Sequence, residues 1–184
     1  MQLIIDLPPV AEAYAPNLTR LRELHDDPYF GSLDGRMETN GRGEVILSPP
    51  PGRLHQDAEG WIERKLDELL GGEPNHGYPV STSDGVKQVD ACWYSRERHA
   101  ELKDPYLPEH PPEICVEVIS PSNTVREMEW KRRLYFEAGV AECWECDLHG
   151  RMHFYVDPTD PDTASDRSVV CPDFPNLVPP GVRR

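Results

Sequence analysis

Two acids and a lysine carry the first chemical signal. Asp90 lies within the run VKQVDACWY and Glu117 within EICVEVIS, two apolar stretches that read as strands, and Lys131 follows in REMEWKRRLYFEAGV, which reads as a helix. A carboxylate in an apolar strand is costly to bury unless it is paired or holds a cation. Acids from two strands that converge at one sheet edge can share a hard divalent ion. Mg²⁺ is the expected ion and Mn²⁺ an admissible substitute, because such ions take oxygen ligands and keep several waters. A nearby lysine can orient or deprotonate the attacking water and offset charge on a phosphorane-like transition state. Asp90 and Glu117 are therefore the expected metal ligands and Lys131 their catalytic companion. The three residue types suffice for phosphodiester hydrolysis.

The helix allows a structural use of the same residues. Glu127, Lys131 and Tyr135 recur at i, i+4 and i+8 and form one stripe. Glu127 one turn before Lys131 suits an intrahelical ion pair, and Thr124 with Glu127 makes a capping box. Glu127 and Tyr135 are thus supporting residues at most. Arg126, Lys131, Arg132 and Arg133 form the densest basic patch of an acidic chain, suited to a phosphate backbone, although Glu127 and Glu129 dilute it. Glu59 flanks the apolar stripe of an earlier helix and can look over the sheet rim toward the acids, as a fourth catalytic residue. Glu44 and His55 are polar residues near the same rim, expected to be solvated.

Two other patterns compete. Cys143, Cys146, His149 and His153 give C-x₂-C-x₂-H-x₃-H, superficially a zinc set. If the segment is a strand, Cys143 and Cys146 face opposite sides. Cys92 and Cys115 share strand faces with Asp90 and Glu117, but small buried thiols are ordinary core fillers, and a cysteine nucleophile would need a positioned base that the sequence does not offer.

The elements that must position these residues follow from periodicity. A short helix is predicted over 18–25, and a hairpin over Arg36–Glu38 and Glu44–Leu47 around Asn40, Gly41 and Gly43. Ala58, Ile62, Leu66 and Leu69 mark an amphipathic helix from about 54 to 70 that ends at Gly71. Strands are predicted at Tyr78–Ser81 and Val86–Tyr94, with Val89, Ala91 and Trp93 on one face and Gln88, Asp90 and Cys92 on the other. Ser95 caps a short helix, and EICVEVIS is a central strand. The next helix runs from Thr124 to Ala138 and stops at Gly139, before a hairpin of Glu142–Asp147 and Arg151–Asp157. One short strand is expected in the tail, at Ser168–Cys171. Proline clusters at Pro8–Pro16, Pro49–Pro51, Pro105–Pro112 and from Pro158 onward mark the boundaries. They divide the chain into an arm over 1–32, a domain over 33–157 and an acidic, proline-rich tail over 158–184.

Composition limits the function classes. The 184 residues fit one domain, and the balance of 19 basic against 33 acidic side chains gives −14 at pH 7. That field repels nucleic acid at long range and argues against a passive DNA coat, though not against a metal enzyme that gathers its acids in one cleft. No apolar run approaches the roughly 18 residues needed to span a membrane. The first residues lack a basic n-region, so no signal peptide and a cytoplasmic location are expected. Five cysteines suggest reduced thiols.

VDACWYSRER, PPEICVEVISPSN, REMEWKRRLYFEAGV and ECWECD resemble, in order, the signature blocks of the Uma-two-type restriction endonucleases, a bacterial family with the PD-(D/E)xK nuclease core. The resemblance covers about 33–157. It implies an α/β, restriction-endonuclease-like fold, a mixed central sheet flanked by helices. It also implies DNA as substrate and a homodimer. Asp90 matches the motif acid, Glu117 the strand glutamate and Lys131 a lysine that has migrated from the strand to the following helix. Ile119 stands at the usual lysine position. Glu59 corresponds loosely to a first-helix glutamate of the wider superfamily. Val89 replaces the usual proline before the motif acid, and the preceding loop is short; neither change removes a charge that a metal needs.

Two readings result: a Mg²⁺-dependent endodeoxyribonuclease, and a catalytically weak accessory or protein-interaction module with a nuclease-like fold. Under either, the cysteine–histidine spacing is coincidental. Purified protein is expected to carry no stoichiometric zinc, and one tightly held zinc per chain in elemental analysis would overturn that expectation.

Overall fold

Short runs of β-branched and aromatic residues between turn formers make strands here, and two helices with one apolar face each cover the larger sheet. The computed structural model describes residues 3–5, 17–103, 108 and 110–179. The boundary prolines Pro8, Pro9, Pro16 and Pro105 and residues 180–184 lie outside them. In chain order the elements are β1 (Leu3–Ile5), α1 (Asn17–Asp26), β2 (Arg36–Thr39), β3 (Val45–Ser48), α2 (Arg53–Leu70), β4 (Glu73–Thr82), β5 (Gly85–Tyr94), α3 (Arg96–Ala100), β6 (Ile114–Val118), α4 (Val125–Ala138), β7 (Glu142–Cys146) and β8 (Met152–Tyr155).

The strands form two sheets, β1-β3-β2 and β4-β5-β6-β7-β8. Only β6 and β7 are parallel in the larger sheet; its other neighbours are antiparallel. A parallel pair needs a crossover, and α4 supplies it. This is the mixed central sheet flanked by helices of a restriction-endonuclease-like core. Ala58, Ile62 and Leu66 of α2 pack on Ala91, Val116 and Trp144 on one face. Tyr135 and Phe136 of α4 pack on Tyr78, Val89, Cys92, Cys115 and Cys143 on the other. Leu21 and Leu24 of α1 close a third cluster with Met37, Val45 and Val86, which fixes the small sheet against β5. Thr124 and Glu127 form the capping box at the start of α4, and Gly139 ends it at φ 98. Among the described residues, no helix is long and apolar enough to cross a membrane.

Three expectations change. β4 begins at Glu73 instead of Tyr78; its Pro74 is tolerated because β4 is an edge strand. Alternation along β5 breaks at Asp90: Val89 packs with Cys92 and Tyr94 on the α4 side, not with Ala91 and Trp93. Pairing holds at Tyr78↔Val89 and His76↔Ala91, and between them Gly77 sits opposite Asp90 with φ 59. A left-handed glycine permits the local twist that turns Asp90 away from the Cys92 face.

The third change is in the tail. Ser168–Cys171 is a set of bends, not a strand, because its donors converge on a single carboxylate. Glu142 is buried and accepts from Ser168 Oγ at 2.6 Å, from the Val169 and Val170 amides at 2.7 Å each and from Trp144 Nε1 at 2.7 Å. Four donors offset its desolvation. The clamp holds Cys171, Phe174 and Val178 on the α2 face of the sheet. Glu142→Ala would strand these donors and is expected to cost about 2–4 kcal/mol. Thermal melting together with limited proteolysis, which should cut first within 158–179, checks this; an unchanged melting temperature would contradict it.

Candidate metal centre

β5 and β6 pair at only three positions, ending at Ala91↔Val116, and then part. Asp90 and Glu117 are the next residues at this opening. Parting leaves the Val118 amide without a strand partner, and Asp90 Oδ2 accepts from it at 2.6 Å. Asp90 is 1% exposed, so its charge must be met by protein groups. His55 and Glu59, one turn apart on α2, supply part of the answer: His55 Nε2 lies 3.1 Å from Asp90 Oδ2 and 3.1 Å from Glu59 Oε1. Arg36 of β2 touches Asp90 Oδ1 through Nη1, and its Nη2 lies 3.3 Å from Glu59 Oε1.

Glu117 is held from the other helix. Lys131 Nζ lies 3.3 Å from both of its oxygens and 3.4 Å from Glu38 Oε1, while the Tyr135 hydroxyl donates to Glu117 Oε1. Lys131 therefore turns into the sheet opening, away from the ion pair with Glu127 that the helical stripe allowed. Glu127 instead serves the cap, accepting from the Thr124 amide and the Asn123 side chain.

These surroundings separate the two acids. For Asp90, burial opposes ionisation, but His55, 3.1 Å away, and the Arg36 charge outweigh it and hold the carboxyl near 2. For Glu117, burial dominates and the neighbouring Asp90 charge adds to it, so despite Lys131 the group is pushed up to about 7. Burial disfavours charge on His55, yet the Asp90 and Glu59 carboxylates, each 3.1 Å from Nε2, raise it to about 9. Lys131, though buried, is raised by Glu117, Glu38 and Asp90.

One group of three ligand types meets the spacing of a metal site among the described residues: His55, Glu59 and Asp90 offer ligand atoms all within 4.8 Å of one another. Two of those buried atoms, His55 Nε2 and Asp90 Oδ1, have charged neighbours at contact distance but no well-directed hydrogen bond. Ligand atoms this close together, two of them without a directed hydrogen bond, fit a cation. One nitrogen and two carboxylates suit Mn²⁺ as well as Mg²⁺, since imidazole is a better ligand for transition metals. Glu117 stands outside this group of three, and His55, expected to be solvated, stands within it. Glu44 accepts from the Asn40 side chain at the β2–β3 turn, apart from the cluster.

The three arginines are dispersed. Arg132 is buried against Glu145 and donates to the Pro161 carbonyl at 2.9 Å, so its guanidinium faces the protein interior, not a phosphate. Arg133 pairs with Asp162 at 2.6 Å. Arg126 lines an open groove on α4 with Trp130 and Arg133. Cys143 and Cys146 pack in clusters on opposite faces of the sheet, and His153 Nε2 lies 3.4 Å from Asp147 Oδ2. All five cysteines are buried. Burial pushes the Cys92, Cys115 and Cys143 thiols up, against nucleophilic use.

Sequence reasoning missed Arg36 and Glu38. Both lie in β2 at i, i+2, and that opposite-charge pair on one face of a short strand was the available signal. For His55 the signal was its i, i+4 spacing to Glu59.

A mixed sheet with helices on both faces, opening where two strands carry acids beside a helix lysine, defines a protein of the PD-(D/E)xK type. The family described as "Uma2: Putative restriction endonuclease" matches residues 28–177, and the chain belongs to it. Among solved structures it is similar to a protein of Anabaena variabilis described as a putative nuclease belonging to DUF820. The TM-score is 0.59 at 14% identity, over 84% of this chain and 88% of that one, a likeness of fold. No curated protein matches.

A metal ligand must be a neutral imidazole, so His55 has to lose its proton on binding. Below about 9 it is protonated in the metal-free protein. Mn²⁺ binding at pH 7.5 is expected to release about one proton and to strengthen as pH rises toward 9. Calorimetry in buffers of different ionisation enthalpy measures this; affinity independent of pH between 7 and 9 would contradict it.

Proposed function

We propose that this protein is a divalent-metal-dependent endodeoxyribonuclease that hydrolyses phosphodiester bonds. The observation that carries the reading is the convergence of His55, Glu59 and Asp90 within 4.8 Å, with a buried nitrogen and oxygen left free of directed hydrogen bonds. Family membership supports DNA as the partner; a homodimer as the working form and the cytoplasm as the compartment are part of the proposal.

In this reading His55, Glu59 and Asp90 hold the ion, which when bound supplies Lewis acidity and a more acidic water. Glu117, whose carboxyl burial and the Asp90 charge push up in the metal-free protein, is the proposed acceptor of a proton from the attacking water. Tyr135 and Lys131 fix its orientation. Lys131 stays charged and acts by offsetting negative charge on the phosphoryl group, not as a base. Arg126 and Arg133 are the proposed contacts to the DNA backbone, and Arg132 anchors α4 to Glu145 of β7.

The acidic balance of −14 favours a second reading, a catalytically weak accessory or protein-interaction module. Lys131→Ala separates the two. It is expected to lower the single-turnover cleavage rate at saturating Mn²⁺ by about 10²-fold or more, with poor rescue by arginine. It also leaves Glu117 buried without its counter-charge, at a cost of about 3 kcal/mol, so rates are compared well below each variant's melting transition. Cleavage by the alanine variant at the unmodified rate would remove Lys131 from the chemistry, and no cleavage by the unmodified protein with any divalent ion would favour the accessory reading.

A further inference from the structure

The positive groups at the centre are distributed unevenly. Lys131 serves Glu117 and Glu38, whereas Asp90 and Glu59, two of the three prospective metal ligands, are bridged by the Arg36 guanidinium and by the third ligand, His55. Its Nη1 touches Asp90 Oδ1, one of the two buried atoms that lack a directed hydrogen bond. Its Nη2 is 3.3 Å from Glu59 Oε1, the oxygen that also faces His55 Nε2. The guanidinium thus contacts one carboxylate oxygen of each of two prospective ligands. A divalent ion and a guanidinium within a few ångströms of each other repel, so an ion bound at these carboxylates weakens the guanidinium's hold on them.

Arg36 is also placed to leave. It belongs to β2 of the small sheet, not to α2 or β5, which carry the ligands, so its side chain can turn without moving them. Its side chain keeps 17% exposure and lines an open groove of about 380 Å³ with Gln56, Gln88, Glu59 and the paired Glu63 and His76. A planar guanidinium turned into that groove would meet an anion beside the ion and could take two phosphate oxygens at once.

We propose that Arg36 is the internal counter-ion of the metal centre: a divalent ion displaces it, and the displaced guanidinium then takes a phosphodiester of the DNA in the adjoining groove. This rests on the metal-site reading of His55, Glu59 and Asp90. It makes ion binding and backbone binding cooperative, because the arginine is released to DNA only when the ion has replaced it.

The test uses the full chain and the variants Arg36→Gln, Arg36→Lys and Asp90→Asn, each first checked by melting. Titration with Mn²⁺ in a calorimeter should show Arg36→Gln binding about tenfold more tightly than the unmodified protein, with Arg36→Lys between them and Asp90→Asn binding weakly. With Ca²⁺ as a non-cleaving ion, a labelled DNA duplex should bind Arg36→Gln about tenfold more weakly than the unmodified protein, and the two should bind alike without the ion. If Arg36→Gln does not fold, Arg36→Lys carries both comparisons. Equal or weaker Mn²⁺ affinity in the Arg36 variants, with Mn²⁺ still bound by the unmodified protein and lost in Asp90→Asn, would overturn the counter-ion proposal while the metal site stands. Absence of Mn²⁺ binding in the unmodified protein and in both Arg36 variants would overturn both. Duplex affinity unaffected by Arg36→Gln in Ca²⁺ would overturn the phosphate contact.

Discussion

Carboxylates buried in the central strands must each find cationic or hydrogen-bonding partners, and that requirement draws the outer elements onto the sheet. Asp90 of β5 takes Arg36 from β2 and His55 from α2. Glu117 of β6 takes Lys131 and Tyr135 from α4, and Lys131 in turn reaches Glu38 of β2. Glu145 of β7 takes Arg132 from α4, and Glu142 takes the tail through Ser168, Val169 and Val170. Apolar packing gives the layers their general arrangement, while these polar contacts select one relative placement of helices, small sheet and tail.

The same requirement distinguishes the two central acids. Asp90, with Arg36 and His55 against it, stays ionised down to about pH 2; its contribution to stability is present above the ordinary carboxylate range and is lost as pH falls through that value. Glu117, desolvated and beside another acid, reaches about 7. Paired carboxylates driven apart in this way suit different tasks, one holding charge and the other exchanging protons near neutrality. The split arises from which element faces each acid: two cationic groups for Asp90, one lysine shared with Glu38 for Glu117.

Much of the fold was legible because its signals are local. The stripe of Ala58, Ile62 and Leu66, the Thr124–Glu127 capping box, the stop at Gly139 and the apolar run around Glu117 each declare one element without reference to the rest. Asp90, Glu117, Lys131 and Glu59 stood out for the same reason, as charged residues in or beside apolar patterns. What escaped depends on contacts distant in sequence. Nothing near Arg36 indicates that β2 will lie over the parting of β5 and β6. The spacing of His55 and Glu59 is visible, but its partner Asp90 is brought in by tertiary structure. Arg132, read as part of a basic surface, is internal because Glu145 lies beneath it in β7. The twist at Asp90 turns on Gly77 in the adjacent strand, which single-strand alternation does not register. Ser168–Cys171 reads as a strand by composition, yet its amides are taken by one distant carboxylate.

The central claim is that the buried cluster of His55, Glu59 and Asp90 is built for a divalent ion. Anomalous diffraction from crystals soaked in Mn²⁺ tests it most directly. The account predicts one strong peak within about 2–2.5 Å of His55 Nε2 and of a carboxylate oxygen from each of Glu59 and Asp90. A cluster that still holds Arg36 and no peak at saturating Mn²⁺, or a peak only among Cys143, Cys146, His149 and His153, would contradict it.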